Sequence, residues 1–172
     1  MILTDFKNIR CIVLDVDGVL TNGDILVNEA GDQLRTFNVK DGYAMQYAVK
    51  NGLQVWVITG AKSRGVFKRM EGLGIQEIHI GVTHKWPLLE ELMAKYAIEA
   101  TNIAFIGDDM PDLTCMQQVA VAICPADAAE EIRKVSHYVS TKKGGQGVVR
   151  ETLEKIMKLQ GLWHNDSSIK SI

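Results

Sequence analysis

The chain is poor in cysteine: three in 172 residues, Cys11, Cys115 and Cys124. An odd number with no metal-ligand spacing excludes a disulfide framework. The apolar or helical surroundings instead predict three reduced, buried, structural thiols, as in a cytoplasmic protein. A large excess of charge of either sign is also missing. A formal net charge of −2 gives no electrostatic reason to expect nucleic acid or an anionic membrane as partner. No run approaches the roughly 18 uninterrupted apolar residues of a membrane span. The opening "MILTDFKNIR" has neither the basic stretch nor the apolar run of a secretory signal. There is no internal repeat and no low-complexity tract. What is there, 47% hydrophobic and 23% charged residues, is the composition of a globular protein. The length suits one domain with a real core and is short for two.

Short β-branched runs recur along the chain: "IRCIVLDV", "LQVWVITG", "QEIHIG", "NIAFIGDD", "VAVAIC" and "SHYVS". The first four are continuous rather than alternating, which predicts strands covered on both faces. Between them lie the helical patterns "DGYAMQYAVKNG", "AKSRGVFKRMEGLG", "HKWPLLEELMAKYA", "MPDLTCMQQV" and "ADAAEEIRKV", and "GVVRETLEKIMKLQG" follows the last strand. Glycines in "KNG" and "GLG" stop helices, and Pro87 falls in a first helical turn where a missing N–H does no harm. Alternating strand and helix predicts an α/β fold, a doubly wound parallel sheet, whose ligands bind at the carboxyl ends of the strands. One segment breaks the alternation. Residues 24–37 read as a β-hairpin around an "NEAG" turn. The expected organisation is a single domain over 1–162 with that hairpin inserted, followed by a polar, flexible tail at 163–172.

The residues at the strand ends carry the chemistry. Asp15 and Asp17 end the first strand, Thr59 and Gly60 the second, and Gly107, Asp108 and Asp109 the fourth, with Asp112 one turn on; Lys85 follows the third. In a parallel sheet all of these converge on one edge. Carboxylates at that density repel one another unless a cation offsets them. A hard divalent ion held by oxygens, most simply Mg²⁺, resolves the conflict and is readily shared with a substrate phosphate. Lys85 and Thr59 would supply donors to that phosphate. Each feature alone has an ordinary reading: an aspartate after a strand as a turn or cap residue, acidic residues at a helix start, a solvated surface lysine. The ordered set is what points to phosphoryl transfer.

With "DVDG", "ITG", Lys85 and "GDDMPD" in this order, the chain resembles the haloacid dehalogenase superfamily. "LDVDGVLTNG", "FNVKDGY", "VITG", "IGDDMPD" and "KKGGQGVVRE" narrow the resemblance to its 3-deoxy-D-manno-octulosonate (KDO) 8-phosphate phosphatases, over nearly the whole chain. The resemblance implies a Mg²⁺-dependent phosphoric monoester hydrolase of lipopolysaccharide precursor synthesis, with a small hairpin in place of a cap domain. Asp15 would be the nucleophile and form an aspartyl-phosphate. Asp17 would protonate the departing sugar oxygen and then activate water. Residues two apart on an extended chain point to the same side, so both could reach one phosphoryl group. Gly18 would leave room for the backbone to approach it. Thr59 and Lys85 would hold the phosphoryl oxygens. The metal would be bound by Asp15, Asp108 and the Asp17 carbonyl, with Asp109 and Asp112 as outer partners.

For the sugar acid, the resemblance implies Asn38, Val39, Lys40, Asp41, Gly42 and Arg69, with Arg69 the natural carboxylate partner. Gln46 and Ala61 stand where the relatives usually carry arginine, so the nine-carbon 2-keto-3-deoxy-nonulosonate 9-phosphate is an alternative substrate. A hairpin of about 14 residues cannot exclude water alone. The resemblance implies a homotetramer whose hairpins and C-terminal segments close neighbouring sites, with "KKGGQG" as a flexible loop and Arg150 within reach of an anionic group. Two rivals of another class are a receiver-like signalling domain and a non-catalytic binding scaffold. Receivers place the acidic pair on the first strand and the phosphorylated aspartate on a later one, whereas here "GDD" comes last. A scaffold would be expected to lose Asp15 or Asp17, and both are present.

Overall fold

A computed structural model describes residues 2–164. In chain order its elements are α1 (Ile2–Asn8), β1 (Cys11–Leu14), β2 (Leu26–Val27), β3 (Gln33–Leu34), α2 (Val39–Lys50), β4 (Gln54–Ile58), α3 (Arg64–Gly72), β5 (Glu77–His79), α4 (Lys85–Tyr96), β6 (Ile103–Ile106), α5 (Leu113–Gln118), β7 (Val121–Cys124), α6 (Glu130–Val135), β8 (Tyr138–Val139) and α7 (Val148–Leu159). Six strands form one sheet in the order β5-β4-β1-β6-β7-β8, and every neighbouring pair is parallel. The expected α/β doubly wound sheet is therefore present. The helix α1 has no counterpart in the sequence reading, because seven residues are too few to display a helical period.

The continuous apolar runs follow from burial on both faces. Along β1, Ile12 and Leu14 join the core formed with α2, α3 and α7, beside Ala44, Met70 and Leu153. Cys11 and Val13 join the opposite core beside Trp56, Leu89, Phe105 and Met116, under α4, α5 and α6. Alternate side chains point to opposite faces, so a strand covered twice needs apolar residues at every position. The third run departs from this. β5 is an edge strand, and its Ile78 and His79 are only half-buried. Its buried residue is the carboxylate Glu77, which accepts hydrogen bonds from Lys95 and Tyr96 and pairs with His79. All three cysteines are free and buried.

The hairpin at 24–37 consists of two two-residue strands, with Leu26 opposite Leu34 and Val27 opposite Gln33. Its turn is closed by the Gly31 N–H donating to the Asn28 carbonyl at 2.9 Å, while the Asn28 side chain accepts from the Ala30 and Asp32 N–H groups. The segment expected to be a flexible tail begins with two residues that contact α2. Trp163 packs 4.7 Å from the Tyr47 ring, and the His164 N–H donates to the Tyr47 hydroxyl at 2.9 Å. Residues 165–172 lie outside the described residues.

The "KKGGQG" segment is also docked rather than loose. The Gly145 N–H donates to the Val19 carbonyl at 2.9 Å, and the Gly144 N–H to Asp127 Oδ1 at 3.0 Å. A Cβ on Gly144 would lie 2.0 Å from the Gly18 carbonyl oxygen and 2.9 Å from that of Thr21. The glycine is needed for close approach to the loop that carries Asp17. Gly144→Ala is expected to destabilise the protein by about 1–3 kcal/mol through forced backbone displacement. Gly72→Ala, in open space on α3, is expected to stabilise it by up to about 1 kcal/mol through helix propensity. Urea unfolding of the two variants checks the contrast; equal effects would contradict the docking.

Candidate active site

The parallel sheet brings the ends of β1, β4 and β6 together, because β1 lies between the other two. After β1 the chain turns sharply: the N–H groups of Val19, Leu20 and Thr21 all donate to the Val16 carbonyl, and the buried Thr21 hydroxyl accepts from Gly18 and Gly23. Gly18 has φ +87°, and a Cβ there would sit 1.9 Å from Asp108 Oδ2. This contact is what lets the first loop and the end of β6 close on one another.

At the centre is Lys85, the first residue of α4. The residue is 4% exposed, and its ammonium donates to Asp15 Oδ1 at 2.7 Å and to Asp112 Oδ1 at 2.6 Å. The other Asp112 oxygen accepts from the Asp108 N–H at 3.1 Å. Burial alone would lower the ammonium's pKa, but the Asp15 and Asp112 carboxylates outweigh it and raise it. Asp15 is raised to about 6 by burial and then by the Asp112 charge, against the pull of Lys85. Asp108 is pushed up to about 8, by burial first and then by Asp15, Asp112 and Asp109.

Oxygens of Asp15, Asp108 and Asp112 lie within 4.8 Å of one another. Three carboxylates face one ammonium, and neighbouring carboxylate charge adds to burial in raising the Asp15 and Asp108 pKa values. A divalent cation would balance that charge, so the donor set fits Mg²⁺. Thr59, buried at the end of β4, donates its N–H to the His79 carbonyl at 2.9 Å, and its hydroxyl oxygen accepts from Ala61 at 3.2 Å. The hydroxyl proton is then free to donate toward the site. These residues, with Asp17, Ala61 and Asp109, line a cavity of about 630 Å³. Asp109 is exposed and caps the short 3-10 turn Met110–Asp112, accepting the Met110 N–H.

The residues expected to meet the sugar acid are distributed differently. Asn38 caps α2 by accepting from Lys40 and donates to the Gly145 carbonyl; Val39 and Lys40 are exposed. Asp41 is 1% exposed and accepts the Arg150 N–H at 2.6 Å, satisfying a free N–H of the first turn of α7. The Arg150 guanidinium bonds Glu154 and stacks over Trp163 and Tyr43. Arg69 lies against Gly42, where a Cβ would meet its Nη2 at 2.6 Å. With Arg35, Lys62 and Arg64 it lines a second cavity of about 710 Å³ beneath the hairpin, and Lys62 borders both cavities. None of Asn38, Val39, Lys40, Asp41, Gly42, Arg69 or Arg150 lines the first cavity.

One site residue escaped the sequence reading. Arg35, just past β3, holds Asp17 with a fork, Nε to Oδ1 at 2.6 Å and Nη2 to Oδ2 at 2.9 Å. No local signal marks it, because the partners are 18 residues apart and joined only through the hairpin.

A family model described as haloacid dehalogenase-like hydrolase matches residues 72–151. The KDO 8-phosphate phosphatase of Salmonella typhi is 37% identical over 160 residues, 93% of this chain and 85% of that protein. The chain belongs to the KDO 8-phosphate phosphatase family of haloacid dehalogenase-like hydrolases. Among solved structures, the Yersinia pestis phosphatase superposes with a TM-score of 0.91 at 34% identity, covering 93% of this chain and 86% of that one. The Moraxella catarrhalis enzyme, solved with magnesium, phosphate and KDO, gives 0.90 at 38% identity, covering 93% and 92%. Among the described residues no helix is long and apolar enough to cross a membrane.

The raised carboxyl pKa values set a pH dependence for the metal. Protons compete with the cation for Asp108 up to about pH 8 and for Asp15 up to about 6. Apparent Mg²⁺ affinity is therefore expected to rise roughly tenfold per pH unit between those values and to level off above them. Calorimetric titration at several pH values checks this, and an affinity unchanged from pH 6 to 8 would contradict it.

Proposed function

We propose that this protein is a Mg²⁺-dependent phosphatase that hydrolyses KDO 8-phosphate to KDO and inorganic phosphate. The observation that carries the reading is the convergence of Asp15, Thr59, Lys85 and Asp108 on one cavity, in a chain whose relatives at 36–37% identity bear that activity's name.

Asp15 attacks phosphorus as the nucleophile. An oxygen–phosphorus bond forms to its carboxylate while the bond to the sugar oxygen breaks. Asp17 gives its proton to the departing oxygen, then takes one from the water that cleaves the aspartyl-phosphate, which returns it to its starting state. Lys85 and the Thr59 hydroxyl hold the phosphoryl oxygens, and Lys85 also fixes the Asp15 carboxylate. Asp15, Asp108 and the Asp17 carbonyl would hold Mg²⁺, which when bound supplies charge neutralisation that lets a phosphate approach a carboxylate. Asp112 serves this set from behind, anchoring both Lys85 and the Asp108 backbone; Asp109 stays at the rim. In the sugar-acid region, the cations of the second cavity, Arg69 among them, favour an anionic substrate end.

The chain works as one domain with the hairpin in place of a cap, in the cytoplasm, as a homotetramer. Support for assembly comes from the hairpin, whose Ile25, Leu26, Val27 and Leu34 are all exposed, at 41% to 68%. Apolar residues grouped on so small an element suit a covered face.

Phosphate release in Mg²⁺ from eight-carbon and nine-carbon keto-sugar-acid phosphates, set beside simple sugar phosphates, tests the substrate. The eight-carbon compound is expected to give the highest kcat/KM. Preference for the nine-carbon compound would transfer the assignment to that acid, and preference for simple sugar phosphates would overturn both. Asp15→Asn is expected to abolish turnover on every substrate while the protein stays folded.

A further inference from the structure

The pairing of Arg35 with Asp17 extends the mechanism to the hairpin. Asp15, Asp108 and Asp112 crowd within 4.8 Å, whereas the Asp17 carboxylate, two residues from Asp15, stands outside that group. It is drawn aside by a fork of two hydrogen bonds from Arg35, whose third contact, Nη1 to the Gln33 carbonyl at 3.2 Å, fixes the guanidinium on the hairpin's own backbone. The Arg35 side chain is 3% exposed, and that of Asp17 is 31% exposed and lines the catalytic cavity. Among the described residues no other side chain of 24–37 hydrogen-bonds or ion-pairs outside residues 22–37. The hairpin thus has one polar tie to the site, and it ends on the proton-transferring residue.

We propose that Arg35 is a positioning residue of the reaction: it holds the Asp17 carboxylate away from the nucleophile cluster, on the side where the leaving oxygen departs. The inference rests on the role of Asp17 given above. A planar fork sets both the direction and the plane of the carboxylate, which a single ammonium cannot do. Each carboxylate oxygen keeps a second lone-pair direction for the proton exchanged with the substrate. When the phosphorus–oxygen bond breaks, its electron pair goes to the sugar oxygen, which receives the proton from Asp17. Arg35 exchanges nothing and keeps the donor aimed. The hairpin is then an element of the catalytic geometry as well as a cover.

The experiment compares kcat/KM for the eight-carbon sugar-acid phosphate with kcat/KM for 4-nitrophenyl phosphate, whose phenolate leaves without needing a proton. This parameter reports the steps up to the first bond cleavage, so the later hydrolysis does not enter. Arg35→Ala is expected to lower the sugar-to-aryl ratio by about ten- to a hundredfold, within what general-acid catalysis contributes. Arg35→Lys is expected to recover only part of it, and Asp17→Asn to lower it at least as far as Arg35→Ala. Equal losses on both substrates in Arg35→Ala, or no loss on either, with Asp17→Asn still lowering the ratio, would overturn the role of Arg35 alone. An unchanged ratio in Asp17→Asn would instead remove the proton-donor role beneath it.

Discussion

Everything in this site depends on one buried ammonium. Lys85 lies between Asp15 and Asp112 at 2.7 and 2.6 Å, where removing either carboxylate would leave a buried charge partly uncompensated. Breaking such a pair costs far more than forming it returns, typically about 3–5 kcal/mol. The arrangement therefore makes sense as a chemical device more than a stabilising one. The ammonium orients the Asp15 carboxylate and pulls against the burial that favours its neutral form, and the remaining negative charge on Asp15 and Asp108 suits a cation.

The fold makes that crowding possible through backbone approach. Gly18 lets the β1 loop meet Asp108, and Gly144 lets the segment before α7 meet the β1 loop in turn. Asp41 reaches from α2 to the first turn of α7. A chain of contacts then runs from α2 and α7 through the glycine segment to the loop bearing Asp17, and the hairpin closes the same loop from the other side through Arg35.

Much of this was legible beforehand, for physical reasons. Strands buried on both faces need unbroken apolar runs, so β1, β4 and β6 announced themselves, and polar residues at the ends of such runs had to lie on one edge of a parallel sheet. β5 misled because a short run with a central isoleucine reads alike in an edge strand and an inner one. Asp112 was visible only as a neighbour of Asp108; that it anchors Lys85 depends on how the 3-10 turn after β6 meets the start of α4. The glycines of "KKGGQG" read as freedom, whereas Gly144 serves close approach, a distinction that composition does not carry. Arg35 and the capping role of Asp41 depend on tertiary pairing, across 18 and 109 residues respectively.

The proposed covalent step puts the phosphoryl group on the Asp15 carboxylate, set by Lys85. The most direct measurement is rapid acid quenching of the Mg²⁺-loaded enzyme during turnover of a substrate labelled in its phosphoryl group, followed by peptide mapping. Transient label is expected on the peptide containing Asp15, and none in Asp15→Asn. Label on another residue, or turnover with the label never attached to protein, would contradict it.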